Sequence, residues 1–262
     1  MQLKKITLNT KVESNVYPFN VPFLKNLKEI NFEKQITILV GENGSGKSTL
    51  IEGLAMACNL PTIGDIDIKR DKTLSSAKDL AEEITLSWGI RNHRGFFMRA
   101  EDFFGFQKRI AQSQAELKEQ EEEFNVKFTG YAKLLATGAA KAQRQGLESR
   151  YGENPDAFSH GESFLNLFIQ RLVPEGLYIL DEPEVPLSPQ RQLSLISLIK
   201  KQIDLNSQFI IATHSPILMA LPNADILEIK NGQINKVKYS DLEHVSLMRD
   251  FLSNPETFIR FL

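Results

Sequence analysis

Residues 41–49 read Gly-Glu-Asn-Gly-Ser-Gly-Lys-Ser-Thr and fill every fixed position of the phosphate-binding pattern G-x-x-x-x-G-K-[ST]. An apolar, β-branched run precedes the pattern at residues 35–40, and apolar residues at helical spacing follow it from residue 48 to residue 59. In such a loop the backbone N–H groups converge on phosphate oxygens, and the following helix adds the positive end of its dipole. The sequence therefore predicts a nucleotide-binding loop (hereafter the P-loop) between a buried strand and a helix.

Two P-loop side chains have specific predicted tasks. Lys47 is expected to reach the β- and γ-phosphates, and the Ser48 hydroxyl is expected to bind Mg²⁺. The loop residues expected around the nucleotide are Asn43, Gly44, Ser45, Gly46, Lys47, Ser48 and Thr49. ATP and Mg²⁺ are the predicted ligands.

A pair of carboxylates, Asp181 and Glu182, follows the apolar run at residues 177–180. The carboxyl end of a buried strand is where ligands bind in open α/β sheets. Asp181 is expected to hold Mg²⁺ through water, and Glu182 is expected to act as a general base on the attacking water. An acidic turn before Pro183 is the alternative, but a complete P-loop in the same chain favours the catalytic role.

Two further segments indicate how the site is completed. The segment Ser159-His160-Gly161-Glu162-Ser163 precedes an apolar helical pattern, and a serine with a glycine at a helix start predicts a second anion site. His214 directly follows the buried-strand pattern at residues 208–212. If that strand neighbours the strand of Asp181, His214 lies beside the carboxylate pair. We expect it to contact the γ-phosphate, with a structural role as the alternative.

Composition places the chain among ordinary globular proteins. It has 262 residues, 42% hydrophobic and 24% charged, and its formal net charge of -2 gives no global attraction to nucleic acid or to an anionic membrane. The single cysteine, Cys58, excludes an internal disulfide framework and a cysteine-based zinc site. No run approaches the roughly 20 apolar residues of a membrane span, and no signal-peptide pattern opens the chain. A cytoplasmic location is predicted.

The alternation of strand and helix patterns predicts an α/β protein with a mostly parallel sheet. Three parts are expected: an N-terminal β part with the P-loop at 1–64, an inserted β and helical subdomain at 65–158, and the C-terminal core at 159–262. In the insert, one helical stripe comprises Phe106, Ile110, Leu117, Phe124 and Phe128. The stripe is expected to pack against the body, with a partner surface as the alternative. A long coiled-coil arm is not expected, because the stripe does not sustain three to four heptads.

These motifs, in this order, resemble the ATPase head of the ABC superfamily. More closely, the chain is similar to stand-alone bacterial ATPases labelled "AAA family", and the heads of the SMC and RecF DNA-repair ATPases are related. The segments that carry the resemblance, besides the P-loop, are Ser-His-Gly-Glu-Ser at 159–163, Asp-Glu-Pro-Glu at 181–184, Leu-Ser-Pro-Gln-Arg-Gln at 187–192 and Ile-Ile-Ala-Thr-His-Ser-Pro-Ile-Leu at 210–218.

The resemblance implies an ATP-dependent homodimer. Two heads would sandwich two ATP molecules, so that Ser159, Gly161 and Glu162 of one head complete the P-loop site of the other. The signature departs from the transporter pattern at His160 and Glu162, and Ser188 stands where transporter sequences usually carry aspartate. These departures put transport in doubt more than ATP hydrolysis. For the Mg²⁺-contacting glutamine loop, the candidates are Gln107 and the segment Arg99-Ala100-Glu101.

The function predicted from the sequence is that of a soluble ATPase switch in nucleic-acid maintenance, defence or regulation, with a protein effector or nucleic acid as partner. The alternatives are the ATP-binding subunit of a transporter, for which a membrane permease is the less favoured partner, and a non-hydrolysing ATP-gated scaffold. Two small basic clusters could contact DNA, but solvated faces are the favoured explanation for them. The clusters are Arg91, His93, Arg94 and Arg99, and Lys141, Arg144 and Arg150.

Overall fold

The computed structural model describes residues 2–9, 15–63, 75–151 and 160–260. Its strands are β1 (Leu3–Leu8), β2 (Glu29–Asn31), β3 (Ile36–Gly41), β4 (Ile84–Trp88), β5 (Gly95–Arg99), β6 (Leu177–Asp181), β7 (Gln208–Ala212), β8 (Ala224–Lys230) and β9 (Gln233–Val237). They form an antiparallel sheet in the order β2-β1-β4 and a six-stranded sheet in the order β5-β6-β7-β3-β8-β9. In the larger sheet every pair is parallel except β8 with β9. The predicted α/β fold with a mostly parallel core is confirmed.

Helices cover both faces of the larger sheet. They are α1 (Pro22–Asn26), α2 (Lys47–Ala57), α3 (Ser75–Glu83), α4 (Ala100–Lys127), α5 (Gly130–Tyr151), α6 (His160–Arg171), α7 (Pro189–Asp204), α8 (Pro216–Met219), α9 (Glu243–Ser253) and α10 (Pro255–Ile259). Alternate residues of β6 face opposite clusters: Ile179 lies in the cluster that includes α2, and Leu180 lies in the cluster that includes α6 and α7. Strands buried on both faces explain the continuous apolar runs in the sequence.

The predicted elements around the nucleotide site have the expected positions. The strand predicted at 208–212 matches β7, and the helix predicted from 48 to 59 corresponds to α2. Ser188 is the N-cap of α7, because its hydroxyl accepts the N–H of Arg191 at 3.4 Å, and Pro189 occupies the first helical turn. A hydroxyl at the N-cap and a proline in the first turn are both favoured at the start of a helix.

The long helices α4 and α5 form an antiparallel hairpin, which we call the arm. With 28 and 22 residues, they extend for about 40 Å and 30 Å. At the base, Phe106 packs into the core as expected. Further out the helices pack against each other, and Arg144 of α5 pairs with Glu121 of α4 at 3.2 Å. The expectation that the stripe packs against the body is therefore wrong beyond its first turns, since a hairpin supplies its own partner helix.

The interval 65–158 does not stand apart from the sheets. Its strand β4 pairs with β1, and its strand β5 pairs with β6 of the large sheet. Within the described residues, the part that extends away from both sheets is the arm. The tip of the arm exposes large apolar side chains, namely Val126, Tyr131, Leu134 and Leu135.

Candidate active site

Three neighbouring strands bring the predicted motifs to one edge of the large sheet. β6 pairs with β7, and β7 is next to β3, all in parallel. Their carboxyl ends lead into the P-loop after β3, into Glu182 after β6 and into His214 after β7. The prediction that the strands of Asp181 and His214 are neighbours is thus confirmed. This edge is the expected ligand-binding side of an α/β sheet.

The P-loop backbone takes a conformation that requires glycine. Gly46 has φ +97°, and a Cβ atom there would lie 2.6 Å from side-chain atoms of both Phe23 and Val21. At Gly41 a Cβ atom would lie 2.6 Å from the carbonyl oxygen of Ile229. The turn therefore lets α2 begin at Lys47 without steric conflict. The first N–H groups of α2 lack intrahelical acceptors by geometry and are suited to phosphate oxygens.

Lys47 is buried within its own loop. Its Nζ donates hydrogen bonds to the carbonyl oxygens of Gly41 at 2.7 Å and Glu42 at 2.9 Å. Burial lowers the pKa of Lys47, while the nearby charges of Glu182 and Asp181 act in the opposite direction. Two α2 neighbours complete this part of the site. The Ser48 hydroxyl is hydrogen-bonded to Asp181, and the Thr49 hydroxyl lies 2.9 Å from that of Tyr17.

The surroundings of Asp181 fit a hard cation. Its side chain is buried, and burial is the main cause that raises its pKa to about 7, against the hydrogen bond from Ser48. Its Oδ1 is buried and has no hydrogen-bond partner within the described part of the chain. No group of three or more His, Cys, Asp or Glu in the described ranges could hold a metal alone. The carboxylate of Asp181 beside the Ser48 hydroxyl suits Mg²⁺, which takes one or two protein ligands together with phosphate oxygens and water.

Glu182 adopts an unusual backbone conformation. Its φ is +50°, in the left-handed region, and its N–H donates to the carbonyl oxygen of Ala212 at 2.9 Å. A non-glycine residue in this region costs of order 1–3 kcal/mol and is most often retained at functional sites. Its Oε1 lies 3.9 Å from Nε2 of His214, and both side chains are partly exposed. A carboxylate and an imidazole thus share one edge of the site with Lys47.

Glu184 is a site residue to which the sequence reasoning gave no role. Its Oε1 accepts the backbone N–H groups of His214 at 2.6 Å and Ser215 at 3.1 Å. Burial raises its pKa, and the hydroxyl of Thr213 is also hydrogen-bonded to it. Glu184 therefore fixes the segment that carries His214. The motif Asp-Glu-Pro-Glu was the one sequence signal that included Glu184. It does not reveal the role of Glu184, because the residues that it contacts lie about 30 residues away in the sequence.

Arg99 ends β5 in register with Asp181 on the neighbouring strand. Its guanidinium pairs with Asp102 at 2.7 Å, Glu101 at 3.0 Å and Glu52 at 3.3 Å. Burial lowers the pKa of Arg99, but these carboxylates more than offset it, so that the pKa is raised. A guanidinium is a donor and cannot ligate Mg²⁺. The glutamine-loop candidate Arg99 is therefore corrected: it ties the base of the arm to α2.

The described residues of the signature segment contact helix α7. α6 begins at His160, and Ser159 is outside the described residues. A Cβ atom on Gly161 would lie 2.8 Å from Cδ of Arg191, and Glu162 pairs with Arg191 at 3.3 Å. These residues pack on α7, and neither Gly161 nor Glu162 is among the described residues that line the 460 Å³ cavity beside the P-loop.

The basic clusters are smaller than the sequence suggested. Arg99 is buried in the carboxylate cluster, and Arg144 is paired with Glu121 and Glu148. Arg94 pairs with Glu175 at 3.2 Å. Since charges held in ion pairs attract phosphates less, the structure gives little support to a DNA-binding face.

Comparisons with known proteins find two family models and several transporter ATP-binding proteins that are similar to this chain. Residues 15–123 match a family model described as "AAA domain", and residues 144–220 match one described as "AAA domain, putative AbiEii toxin, Type IV TA system". The chain is 24% identical over 251 residues to the energy-coupling factor transporter ATP-binding protein EcfA2 of Spiroplasma kunkelii, covering 91% of this chain and 76% of that protein. It is 27% identical over 229 residues to EcfA2 of Staphylococcus epidermidis, covering 83% of this chain and 73% of that protein.

Among solved structures, a nucleotide-free ATP-binding cassette from an ABC transporter aligns with a TM-score of 0.47 and 17% identity, covering 100% of this chain and 99% of that one. The Smc head domain of Pyrococcus furiosus, bound to the C-terminal domain of ScpA, aligns with a TM-score of 0.46 and 13% identity, covering 96% and 100%.

The P-loop, the carboxylate pair at the end of β6 and the family and sequence matches define an ATP-hydrolysing P-loop NTPase. More particularly, in its motifs and in its sequence matches the chain is similar to ATPases of the ABC superfamily. None of the helices in the described ranges is both long enough and apolar enough to span a bilayer.

Proposed function

We propose that this ATPase is a cytoplasmic Mg²⁺-dependent switch that closes as a head-to-tail dimer around two ATP molecules. The observation that carries the proposal is that the described signature residues contact α7, and that neither Gly161 nor Glu162 is among the described residues lining the cavity beside the P-loop. The P-loop lies beside Asp181 and His214, whereas Gly161 and Glu162 pack against Arg191 on α7. A second copy would supply its signature segment to the P-loop site and exclude water from the terminal phosphate.

In the proposed reaction, the P-loop N–H groups and Lys47 bind the phosphates of ATP. Lys47 exchanges its bonds to the carbonyls of Gly41 and Glu42 for bonds to the β- and γ-phosphates. Mg²⁺, held by Ser48 and Asp181, would supply charge neutralisation at the phosphate oxygens. Glu182 accepts a proton from water as the water oxygen bonds to the γ-phosphorus. The bond from that phosphorus to the β–γ bridging oxygen breaks, leaving ADP and inorganic phosphate.

We assign His214 to the terminal-phosphate end of the site. Its position is fixed by Glu184 through two backbone hydrogen bonds. Its Nε2 has no hydrogen-bond partner in the described part of the chain and is 3.9 Å from Glu182. An uncharged imidazole there donates or accepts a hydrogen bond without drawing Glu182 into an ion pair. This leaves the carboxylate free for the attacking water.

The arm supports a protein effector as the partner of the switch. Its tip exposes Val126, Tyr131, Leu134 and Leu135, and clustered exposed apolar side chains are typical of protein interaction sites. The pairing of Arg94 and Arg144 with carboxylates makes nucleic acid the less favoured partner.

A second candidate function is that of a transporter subunit. It is favoured by the curated relatives, which are energy-coupling factor transporter ATP-binding proteins and match most of this chain. The partner would then be a membrane permease, and the arm would be the surface that contacts it. The signature departures at His160 and Glu162 weigh against this function.

Glu182→Gln tests the proposed mechanism and dimer together. It removes the proton acceptor and keeps the shape of the side chain, so we expect kcat to fall by about 100-fold or more with ATP binding retained. The variant should accumulate as an ATP-bound dimer, which sedimentation velocity at saturating ATP and Mg²⁺ would detect. Glu175→Gln, an exposed carboxylate change, is the control. An unchanged kcat would remove Glu182 as the base, and a monomer with ATP bound would refute the dimer.

A further inference from the structure

Asp181 and Arg99 lie side by side on the face of the large sheet that α2 covers. Asp181 ends β6, and Arg99 ends β5 in register with it. Two positions earlier on these strands, Ile179 and Phe97 both belong to the apolar cluster that includes α2. Because side chains alternate between the two faces of a strand, the side chains of Asp181 and Arg99 also point toward α2.

Glu52 of α2 contacts this pair of strand ends. It follows Ser48 by one helical turn, so the two side chains lie on the same side of α2. The Ser48 hydroxyl is hydrogen-bonded to Asp181, and Oε1 of Glu52 lies 3.3 Å from Nη1 of Arg99. The side chain of Glu52 is largely buried. One face of α2 therefore contacts both strand ends, through a hydroxyl at β6 and through a carboxylate at β5.

The guanidinium of Arg99 has carboxylate partners besides Glu52. Its Nε and Nη2 donate hydrogen bonds to the two carboxylate oxygens of Asp102 at 3.0 and 2.7 Å, and Glu101 lies 3.0 Å from Nη1. Glu52 therefore brings more negative charge than one guanidinium neutralises, and it does so on the face of the sheet that carries the buried carboxylate of Asp181. Since buried charges need partners of opposite sign, this position is suited to a cation.

A cation at Asp181 would compensate both carboxylates. Oδ1 of Asp181 is buried and has no hydrogen-bond partner within the ranges that the structure describes. Burial is the main cause that raises the pKa of Asp181, and the negative charge of Glu52 adds to the increase. Burial also raises the pKa of Glu52, against the guanidinium of Arg99. These directions agree with the geometry, because both carboxylates lack sufficient positive charge from the protein alone.

We propose that Glu52 is a positioning residue for Mg²⁺, which accepts hydrogen bonds from the hydration shell of the ion while Arg99 fixes the orientation of its carboxylate. Mg²⁺ loses its water reluctantly and binds few protein ligands directly, so carboxylates outside its direct ligands can contribute to its binding. Loss of such an outer partner typically lowers metal affinity by about 10- to 100-fold. The inference rests on the proposed Mg²⁺ ligands Ser48 and Asp181. It gives α2 a role in metal binding beyond the phosphate-binding motif.

The contribution of the metal to nucleotide affinity tests this role without an activity assay. Titration calorimetry with the ATP analogue AMP-PNP, in EDTA and in saturating Mg²⁺, gives the factor by which Mg²⁺ strengthens binding. Glu52→Gln removes the charge and keeps the shape of the side chain, so this factor should fall by about tenfold, with the affinity in EDTA close to wild type. Glu52→Asp keeps the charge but withdraws the carboxylate by one methylene group, so the factor should fall by a smaller amount. Glu52→Asp decides the test alone if Glu52→Gln does not fold.

Two further variants separate this role from an anchor for the arm and from the proposed metal site. Glu101→Gln changes an exposed carboxylate that also contacts Arg99, and it should leave the Mg²⁺ factor unchanged. Asp181→Asn changes the proposed ligand itself and should abolish the gain from Mg²⁺. The inference is overturned if the Glu52 variants keep the wild-type factor, or if Glu101→Gln lowers it as much as Glu52→Gln does. An unchanged factor in Asp181→Asn would contradict the proposed metal site instead.

Discussion

At the residue scale, Lys47 lies close to more negative charge than it can neutralise. The carboxylates of Asp181, Glu182 and Glu184 all act on it, and its ammonium is held by two carbonyl oxygens of its own loop. Bringing ATP into such a site adds further negative charge, which Mg²⁺ and the helix N-terminus must offset. Lys47 supplies the positive side-chain charge of the P-loop, which partly offsets the charge of the carboxylates and of ATP.

Lys47→Ala is expected to abolish ATP binding. Loss of a buried charged donor to phosphate costs about 3 kcal/mol or more, which corresponds to at least about a 100-fold weaker affinity. Titration calorimetry or a fluorescent ATP analogue measures this directly. Lys78→Ala, which removes an exposed lysine of α3, is the matched control and should bind ATP normally. An affinity within a few-fold of wild type would refute the role of the P-loop lysine.

The sequence predicted those site residues that belong to a local sequence pattern. The P-loop, Asp181-Glu182 and His214 follow strand ends, and the strands have the predicted neighbours. Glu184 received no role from the sequence and Arg99 received a wrong one, because the partners of both residues are brought together by the fold. Arg99 contacts Glu52, which is 47 residues away, and no local periodicity encodes that contact. The chemical roles of the site residues stay predictions.

At the element scale, the arm shows where periodicity misleads. The stripe from Phe106 to Phe128 indicated one helix but could not identify its partner, because an apolar stripe does not specify which element covers it. Polar pairs complete the hairpin, as in Arg144 with Glu121. The short buried strands were easier to predict, because a short continuous apolar run in an α/β protein usually forms a strand that is buried on both faces.

Two glycines of α5 should respond oppositely to alanine. Gly138 lies in mid-helix, and a Cβ atom added there would meet nothing within 4 Å, so Gly138→Ala should stabilise the arm by about 0.8 kcal/mol. Gly130 begins the helix at φ +61°, so Gly130→Ala should destabilise the turn by about 1 kcal/mol. Hydrogen exchange of the α5 amides measures both changes locally. Equal effects of the two substitutions would contradict the turn conformation at Gly130.

At the scale of the whole molecule, the ion-pair cluster of Arg99 joins helix α2 to the base of the arm. It connects Glu52, on the helix that begins with Lys47, to Asp102 at the base of the arm. The signature helix α6 in turn packs against α5 and α7. A nucleotide that reorients α2 would therefore act on the arm and on the signature surface through direct contacts. In the proposed dimer, a movement of α2 would therefore reach the surface that contacts the second copy.

A shared site predicts that two inactive variants restore activity when mixed. Lys47→Ala removes the P-loop function of one chain but leaves its signature segment intact. Ser159→Arg blocks the signature segment but leaves the P-loop intact. In equal amounts, at most about half of the dimers are mixed, each with one intact site of two, so the expected rate is up to about a quarter of wild type. ATPase assays on each variant alone and on the mixture measure this, with mixtures of either variant and wild type as references. A mixture no more active than its components would contradict the head-to-tail arrangement, because each chain would then be using its own signature segment or none.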